Sequence, residues 1–451
     1  MAVRPVPSRT SAAPLAAGEP PFDRRRSWLV LGMIVAFMMI NYADKSVLGL
    51  AAVPLMDELG IGKSTYGLVS SAFYVLFSVT GLVVGLLSAR WSARTLLLVM
   101  AALWAVAQLP ALLATVPALI AGRLLLGAAE GPAASMSMHA LYAWFPPGRR
   151  GMPSALQIGG AALGTAVSAP ILTWLIVDFG WRSAFVALAV TSAAWGALWY
   201  AVGRDGPYGG GRDRKPRPAG RDRTAPAAEG VAAPAAAPPP LSRLLRSRTV
   251  VGGVLSAFGS HWALALSSAW LPVYLHTELD MTAKRASGMV SAVSVLSLVL
   301  LLTVPALLDR RGRRGRRGPA ADGLAQGLAV LVSAAALALL PFAPGRPVQL
   351  LLVALAFACH SVALPLHYVT TAAVVPAVRR GAVFGVVAAT GTLPGMFVPY
   401  LTGRLVDGAG TETAGYATAF LVSAGVLAVC GAVAAVTVRP GRDARALGGE
   451  G

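Results

Sequence analysis

Apolar residues fill this chain in long runs, separated by short segments rich in arginine, glycine and proline. A bilayer core of about 30 Å is crossed by a helix of about 20 residues. Runs of that length lie near 28–52, 65–88, 95–113, 117–144, 154–177 and 182–202, then near 249–275, 286–308, 322–342, 348–374, 381–404 and 414–437. The pattern predicts an all-α integral membrane protein of twelve transmembrane helices. Arg24, Arg25 and Arg26 precede the first run as they would in a signal peptide. That run is too long for a signal h-region and lacks a small-residue cleavage site, so it reads as a retained first span.

Lys and Arg positions orient the runs. With a cytoplasmic N-terminus, 30 of the 38 basic residues fall in inner segments. Only six, Lys63, Arg182, Lys284, Arg285, Arg346 and Arg404, fall in outer loops, and Lys45 and Arg123 sit within spans. This bias obeys the positive-inside rule and predicts both termini in the cytoplasm. The segment 203–248 carries Gly209-Gly210-Gly211, a basic stretch and an Ala/Pro run ending at Pro240. Such a composition buries no core and reads as a linker. The expected organisation is a tail at 1–27, six helices over 28–202, the linker at 203–248, six helices over 249–437 and a tail at 438–451. Two six-helix bundles point to a transporter.

Composition then excludes other classes. The chain is 56% hydrophobic and 13% charged, far from the quarter of charged residues usual in soluble domains. The net charge of +19 resembles that of a nucleic-acid binder, but the charges lie in short loops between apolar runs, so no nucleic-acid partner is expected. Cys359 and Cys430 fall inside apolar runs and read as buried thiols rather than a disulfide or metal site. No P-loop or ATP-binding segment is present, so no nucleotide cofactor, metal or enzymatic activity is expected.

Charges inside spans are costly, and they mark pathways and proton relays. Four stand out: Asp44 and Lys45 in the first span, and Arg123 and Glu130 in the fourth. Arg123 and Glu130, seven apart, share a helix face with about 10 Å between their depths. At 1.5 Å per residue Asp44 lies at a depth similar to Arg123, so the two are expected to pair, with Glu130 deeper. Asp44 and Glu130 read as proton-coupling carboxylates, and Arg123 and Lys45 as anchors for an anion. A fixed structural salt bridge is the other reading. Tyr42, Tyr74 and Gln157 lie near enough to shape a site, as do the intramembrane histidines His261, His360 and His367.

Several stretches together resemble the major facilitator superfamily, and within it the anion:cation symporter family. They are Asn41-Tyr42-Ala43-Asp44-Lys45, Gly122-Arg123 with Gly127 and Glu130-Gly131, Trp144-Phe145-Pro146, Gly180-Trp181-Arg182, and Trp270-Leu271-Pro272. The resemblance implies the major facilitator fold and proton- or sodium-driven uptake of an organic anion such as a sugar acid, hexuronate or aromatic acid. It also makes Asp44 and Glu130 proton sites and Arg123 a substrate contact. Lys45 stands where the family commonly has Arg, without the planar fork that grips a carboxylate twice. The loop Gly85–Arg94 carries Ala89 where the superfamily has an acid. The equivalent loop keeps Asp309, Arg310 and Arg313, which are expected to form the inner-face gate; plain topological charge is the other reading.

The expectation is a monomeric, multi-pass carrier in a bacterial cell membrane, taking up a small organic anion with a proton or sodium ion. Drug efflux, organophosphate exchange and a non-transporting sensor remain as alternatives.

Overall fold

The computed structural model describes residues 22–87, 91–146, 149–208, 239–313 and 321–448. Ala89 and most of the expected linker lie outside them. The first half contains α1 (Arg24–Leu50), α2 (Ala52–Leu59), α3 (Lys63–Leu87), α4 (Ala93–Gln108), α5 (Val116–Glu130), α6 (Ala133–Tyr142), α7 (Gly151–Phe179) and α8 (Trp181–Val202). A short α9 (Leu241–Leu245) leads into α10 (Arg248–Thr277), α11 (Ala283–Arg313) and α12 (Ala321–Leu339). Then follow α13 (Arg346–Ala358), α14 (Ala363–Ala372), α15 (Ala377–Thr392), α16 (Pro394–Asp407), α17 (Glu412–Thr437) and α18 (Pro440–Gly448).

The described residues contain 10 helices long and apolar enough to cross a membrane. The expected second run coincides with α3. The expected fourth run is divided where Gly131-Pro132 separates α5 from α6, since proline has no N–H for the helix ladder. A 3₁₀ turn at Cys359–Val362 likewise divides the tenth run into α13 and α14. Asp23, Ser92, Thr115, Ser247 and Thr411 cap the starts of α1, α4, α5, α10 and α17, each accepting a backbone N–H three residues on. Sequence reading left α2 unseen, because its eight residues were divided between the first run and a loop.

Two bundles form, α1–α8 and α10–α17, and they meet along α3 on α16 and α7 on α11. Lipid tails are as apolar as leucine, so close packing rather than water exclusion joins such helices. In the first bundle Phe37 stacks on Trp104 at 4.3 Å and Trp195 on Trp199 at 5.3 Å. The indole N–H groups of Trp195 and Trp199 donate to the carbonyls of Met33 and Arg94. Where α3 crosses α16 the backbones touch. A Cβ on Gly67 would lie 2.9 Å from the Pro399 carbonyl carbon and the Tyr400 Cα, and one on Gly403 would lie 2.9 Å from the Ser64 Cα.

The ends of the bundles differ. One end gathers Phe22, Trp144, Phe145 and Arg204, with Trp144 Nε1 donating to the Arg204 carbonyl at 3.0 Å. There the start of α1, the α6–α7 turn and the end of α8 meet, and it is called the terminal end below. At the opposite, distal end Glu58 of α2 accepts from Trp181 and Arg182. Described hydrogen bonds between the two halves run from the distal rim to mid-depth, among them Lys63 and Ser64 to Asp407, Lys63 Nζ to Glu412, Tyr66 to the Ala269 carbonyl, Tyr400 N–H to Ser71, Ser291 to the Ala166 carbonyl, and Ser78 with Thr392. The halves are closed on each other at the distal end.

Candidate functional site

The four intramembrane charges converge. Helices α1 and α5 place Asp44, Lys45, Arg123 and Glu130 together; Asp44 is 0% exposed and Glu130 1%. Their pairing differs from the sequence expectation. Lys45 Nζ, not Arg123, makes the ion pair, 3.3 Å from Glu130 Oε2. Arg123 Nη1 donates to the backbone carbonyl of Asp44 at 3.3 Å instead of to its carboxylate. Asp44 Oδ1 accepts from Gln108 Nε2 at 2.8 Å, and Lys45 Nζ also donates to Asn41 Oδ1 at 2.6 Å.

Aromatic faces complete the setting. The Lys45 ammonium lies 4.4 Å from the Tyr42 ring centre and 5.2 Å from that of Phe77, and the Arg123 guanidinium 4.8 Å from that of Phe73. A desolvated cation is drawn to such faces by about 2 kcal/mol. Polar capacity is left over. Asp44 Oδ2, Arg123 Nε and Glu130 Oε1 are buried without a hydrogen-bond partner. Buried polar atoms are nearly always partnered, so three such atoms together form a place prepared for a proton, a water or a ligand oxygen.

Above this cluster on the distal side the space is nearly filled. A cavity of about 10 Å³, room for a single water, is bounded by Lys45, Arg123, Tyr66, Ser70, Tyr74 and Ser268. Gly49 borders both this space and a cavity of about 290 Å³ nearer the distal rim, which reaches Val53, Thr173, His276 and Ser287. A Cβ at Gly49 would lie 3.3 Å from the Ser268 carbonyl carbon, so the two cavities are separated by direct backbone contact between α1 and α10.

The other expected site residues divide. Tyr42 lies against Lys45. Tyr74 is buried between the halves, hydrogen-bonded with Ser268, its ring against Gly395. His261 on α10 stands across from the cluster, within electrostatic reach of Lys45, with Nδ1 donating to the Ala257 carbonyl at 2.8 Å. His360 and His367 are deeper in the second half, 2% and 1% exposed. His360 belongs to the Cys359–Val362 turn and His367 to α14, and both lie within electrostatic reach of His261. Gln157 donates to Ser137 Oγ at 2.8 Å and joins α6 to α7, away from the charges. Asp309 and Arg310 lie exposed near the end of α11, and Arg313 is its last residue.

Sequence reading named Asn41 only as part of a motif, without a role, and missed Gln108, Tyr66 and Ser268. The two amides carried a usable signal: each is a hydrogen-bonding side chain in an apolar run at the depth of a buried charge.

Residues 29–325 match the family described as Major Facilitator Superfamily. The hexuronate transporter of Bacillus subtilis is 27% identical over 267 residues, 59% of this chain and 60% of that protein. A probable sulfoacetate transporter of Cupriavidus necator is 29% identical over 250 residues, 55% of this chain and 56% of that protein. The D-galactonate transporter of Escherichia coli O6:H1 is 27% identical, over 59% and 63% of the two chains. These matches thus span about 60% of the relatives' lengths. Among solved structures, an occupied bacterial homologue of the human lysosomal transporter Spinster superposes with a TM-score of 0.73 at 14% identity, over 93% of this chain and 98% of that one. A D-xylose-proton symporter gives 0.69 at 16% identity, over 91% and 98%. A fold of apolar helices in two bundles, with a charge cluster buried among them and a family match over most of its length, places this multi-pass membrane protein in the major facilitator superfamily.

Proposed function

We propose that the chain is a secondary active transporter that carries a small organic anion together with a proton, by alternating access. The observation that supports this most is the leftover capacity of the cluster: Arg123 Nε, Asp44 Oδ2 and Glu130 Oε1 are buried together and unpartnered. A substrate carboxylate entering there accepts from Arg123 Nε, the guanidinium being positioned by the Asp44 carbonyl and the Phe73 ring. The added negative charge in a medium of low dielectric favours a proton on Glu130 or Asp44. Binding and proton uptake thereby assist each other, which is the thermodynamic content of symport.

The positive-inside rule places the terminal end in the cytoplasm. On that orientation the sealed distal end faces outward. Parting α3 from α16 and α1 from α10 is the movement that opens the other side, the two bundles rocking about the cluster. His261 then supplies a contact from the second bundle. The relatives are named for hexuronate, galactonate and sulfoacetate, all small acids.

Phosphate-ester exchange is the rival reading, and it calls for two cations free to bind a dianion. Here Lys45 is engaged by Glu130 and Asn41, which favours a monoanion.

Uptake of radiolabelled D-galactonate, D-glucuronate and sulfoacetate into proteoliposomes tests the reading. Accumulation should follow an imposed inward proton gradient and collapse in Glu130→Gln. Uptake indifferent to that gradient would end the symport reading; counterflow driven only by preloaded phosphate would favour exchange.

A further inference from the structure

The N-terminus of α3 is capped by the opposite half of the molecule. The first N–H groups of a helix have no partner within it. At α3 two of them are taken up by one carboxylate: Lys63 N donates to Asp407 Oδ1 at 3.2 Å, and Ser64 N to Asp407 Oδ2 at 2.7 Å. Asp407 is the last residue of α16, 343 positions from Ser64 in sequence. Capping residues ordinarily lie within the same turn, as Asp23 and Thr115 do here. Beside the cap, Lys63 Nζ bonds Glu412 Oε1 at 2.6 Å, a second tie from α3 to the other half.

We infer that Asp407 is the closing latch of the distal end: a carboxylate on α16 that caps α3 only when the two halves are together. This rests on the alternating-access reading. The chemistry suits a reversible contact. Asp407 lies at the exposed rim, so when the halves part, water solvates the carboxylate and both N–H groups at once, and neither side is left buried and unpaired. Closure regains two charge-assisted hydrogen bonds and the favourable end of the α3 dipole. The Gly67 and Gly403 contacts just below let the backbones come close enough for a side chain as short as aspartate to reach. The Lys63–Glu412 pair is the weaker partner, since Glu412 is 52% exposed and solvent screens it.

Losing a cap shifts an equilibrium by roughly 2- to 30-fold. The test places spin labels at Asp57→Cys on α2 and Arg346→Cys at the start of α13, in the full chain with Cys359→Ser and Cys430→Ala, reconstituted without substrate. Pulsed dipolar distances should be mainly short in the parent. Asp407→Ala should raise the ratio of long to short distances by roughly 2- to 30-fold, and Asp407→Asn, which keeps one acceptor oxygen, should fall between. Lys63→Gln or Glu412→Gln should change the ratio by less than about 5-fold. An unchanged distribution in folded Asp407→Ala overturns the latch; so does a Lys63→Gln effect as large, which would make charge rather than capping the cause. If Asp407→Ala does not fold, Asp407→Asn and Asp407→Ser decide, because a cap predicts serine above alanine-like behaviour. The readout needs no substrate, so failure of every anion to be taken up would sink the transport reading while leaving the distances to judge the latch.

Discussion

Lys45 Nζ lies 3.3 Å from Glu130 Oε2, a cation of α1 with its side chain 14% exposed against a fully buried carboxylate of α5. The pair sits one residue from Asp44, whose backbone carbonyl holds Arg123. One short stretch of α1 thus meets α5 through both a side-chain ion pair and a main-chain bond.

Breaking that pair from one side leaves a charge without its partner. Lys45→Met should destabilise the protein by about 3–5 kcal/mol, while Lys45→Met with Glu130→Met should recover most of the loss. Thermal unfolding in detergent measures both. A double variant no more stable than the single would show that Glu130 has other partners sufficient to hold it.

Arg123→Lys keeps the charge and loses the fork. Lysine offers no planar pair of donors to bond the Asp44 carbonyl and a substrate oxygen together. The apparent KM for the transported anion should rise by roughly 10-fold or more, the equivalent of one lost charge-assisted hydrogen bond. Uptake kinetics with KM unchanged would remove Arg123 from the binding site.

At the distal rim, hydrogen bonds from Arg182, and then from Trp181, hold the Glu58 carboxyl down from 4.5 to about 2. A depressed folded-state value gives stability that is present above the unfolded value and lost as pH falls toward the folded one. The gap in melting temperature between the parent and Glu58→Gln should therefore be constant above about pH 5 and close between pH 4.5 and about 2. A gap that persists at the acid end would mean that shape, not ionisation, is what Glu58 contributes.

Thr249 N at the start of α10 donates to Asp443 Oδ2 at 2.7 Å, so the chain after α17 returns to cap the second bundle. Asp443→Ala should cost about 1 kcal/mol, and Asp443→Ser less. Truncation after residue 438 should reproduce the alanine value; no effect in either variant would mean water replaces the cap without loss.

Much of the architecture was legible because the bilayer imposes one rule, about 20 apolar residues per crossing, that the chain obeys almost throughout. The interruptions were less so. The Gly131-Pro132 break and the Cys359–Val362 turn lie inside apolar runs, where hydropathy carries no backbone information. The charge quartet was legible by its expense in lipid, and the depth count correctly put Asp44 and Arg123 at one level. Depth says nothing of rotation, however. Asp44 and Lys45 are about 100° apart on α1, so depth alone does not say which of them turns its side chain to the charges of α5. Gln108 escaped notice because a neutral amide costs far less in lipid than a charge and so leaves a weaker mark.

Asp44 and Glu130 carry two negative charges, and Lys45 and Arg123 two positive ones. With all four ionised the buried cluster has zero net charge, so its reorientation in the empty carrier moves none across the field of the membrane, where 100 mV acts on each unbalanced charge with about 2.3 kcal/mol. A monoanion accompanied by one proton leaves that sum unchanged. On this stoichiometry both legs of the cycle are electrically silent, and a potassium diffusion potential clamped with valinomycin should leave the uptake rate unaltered. A voltage-dependent rate would mean that a second proton, or a sodium ion, travels with the solute.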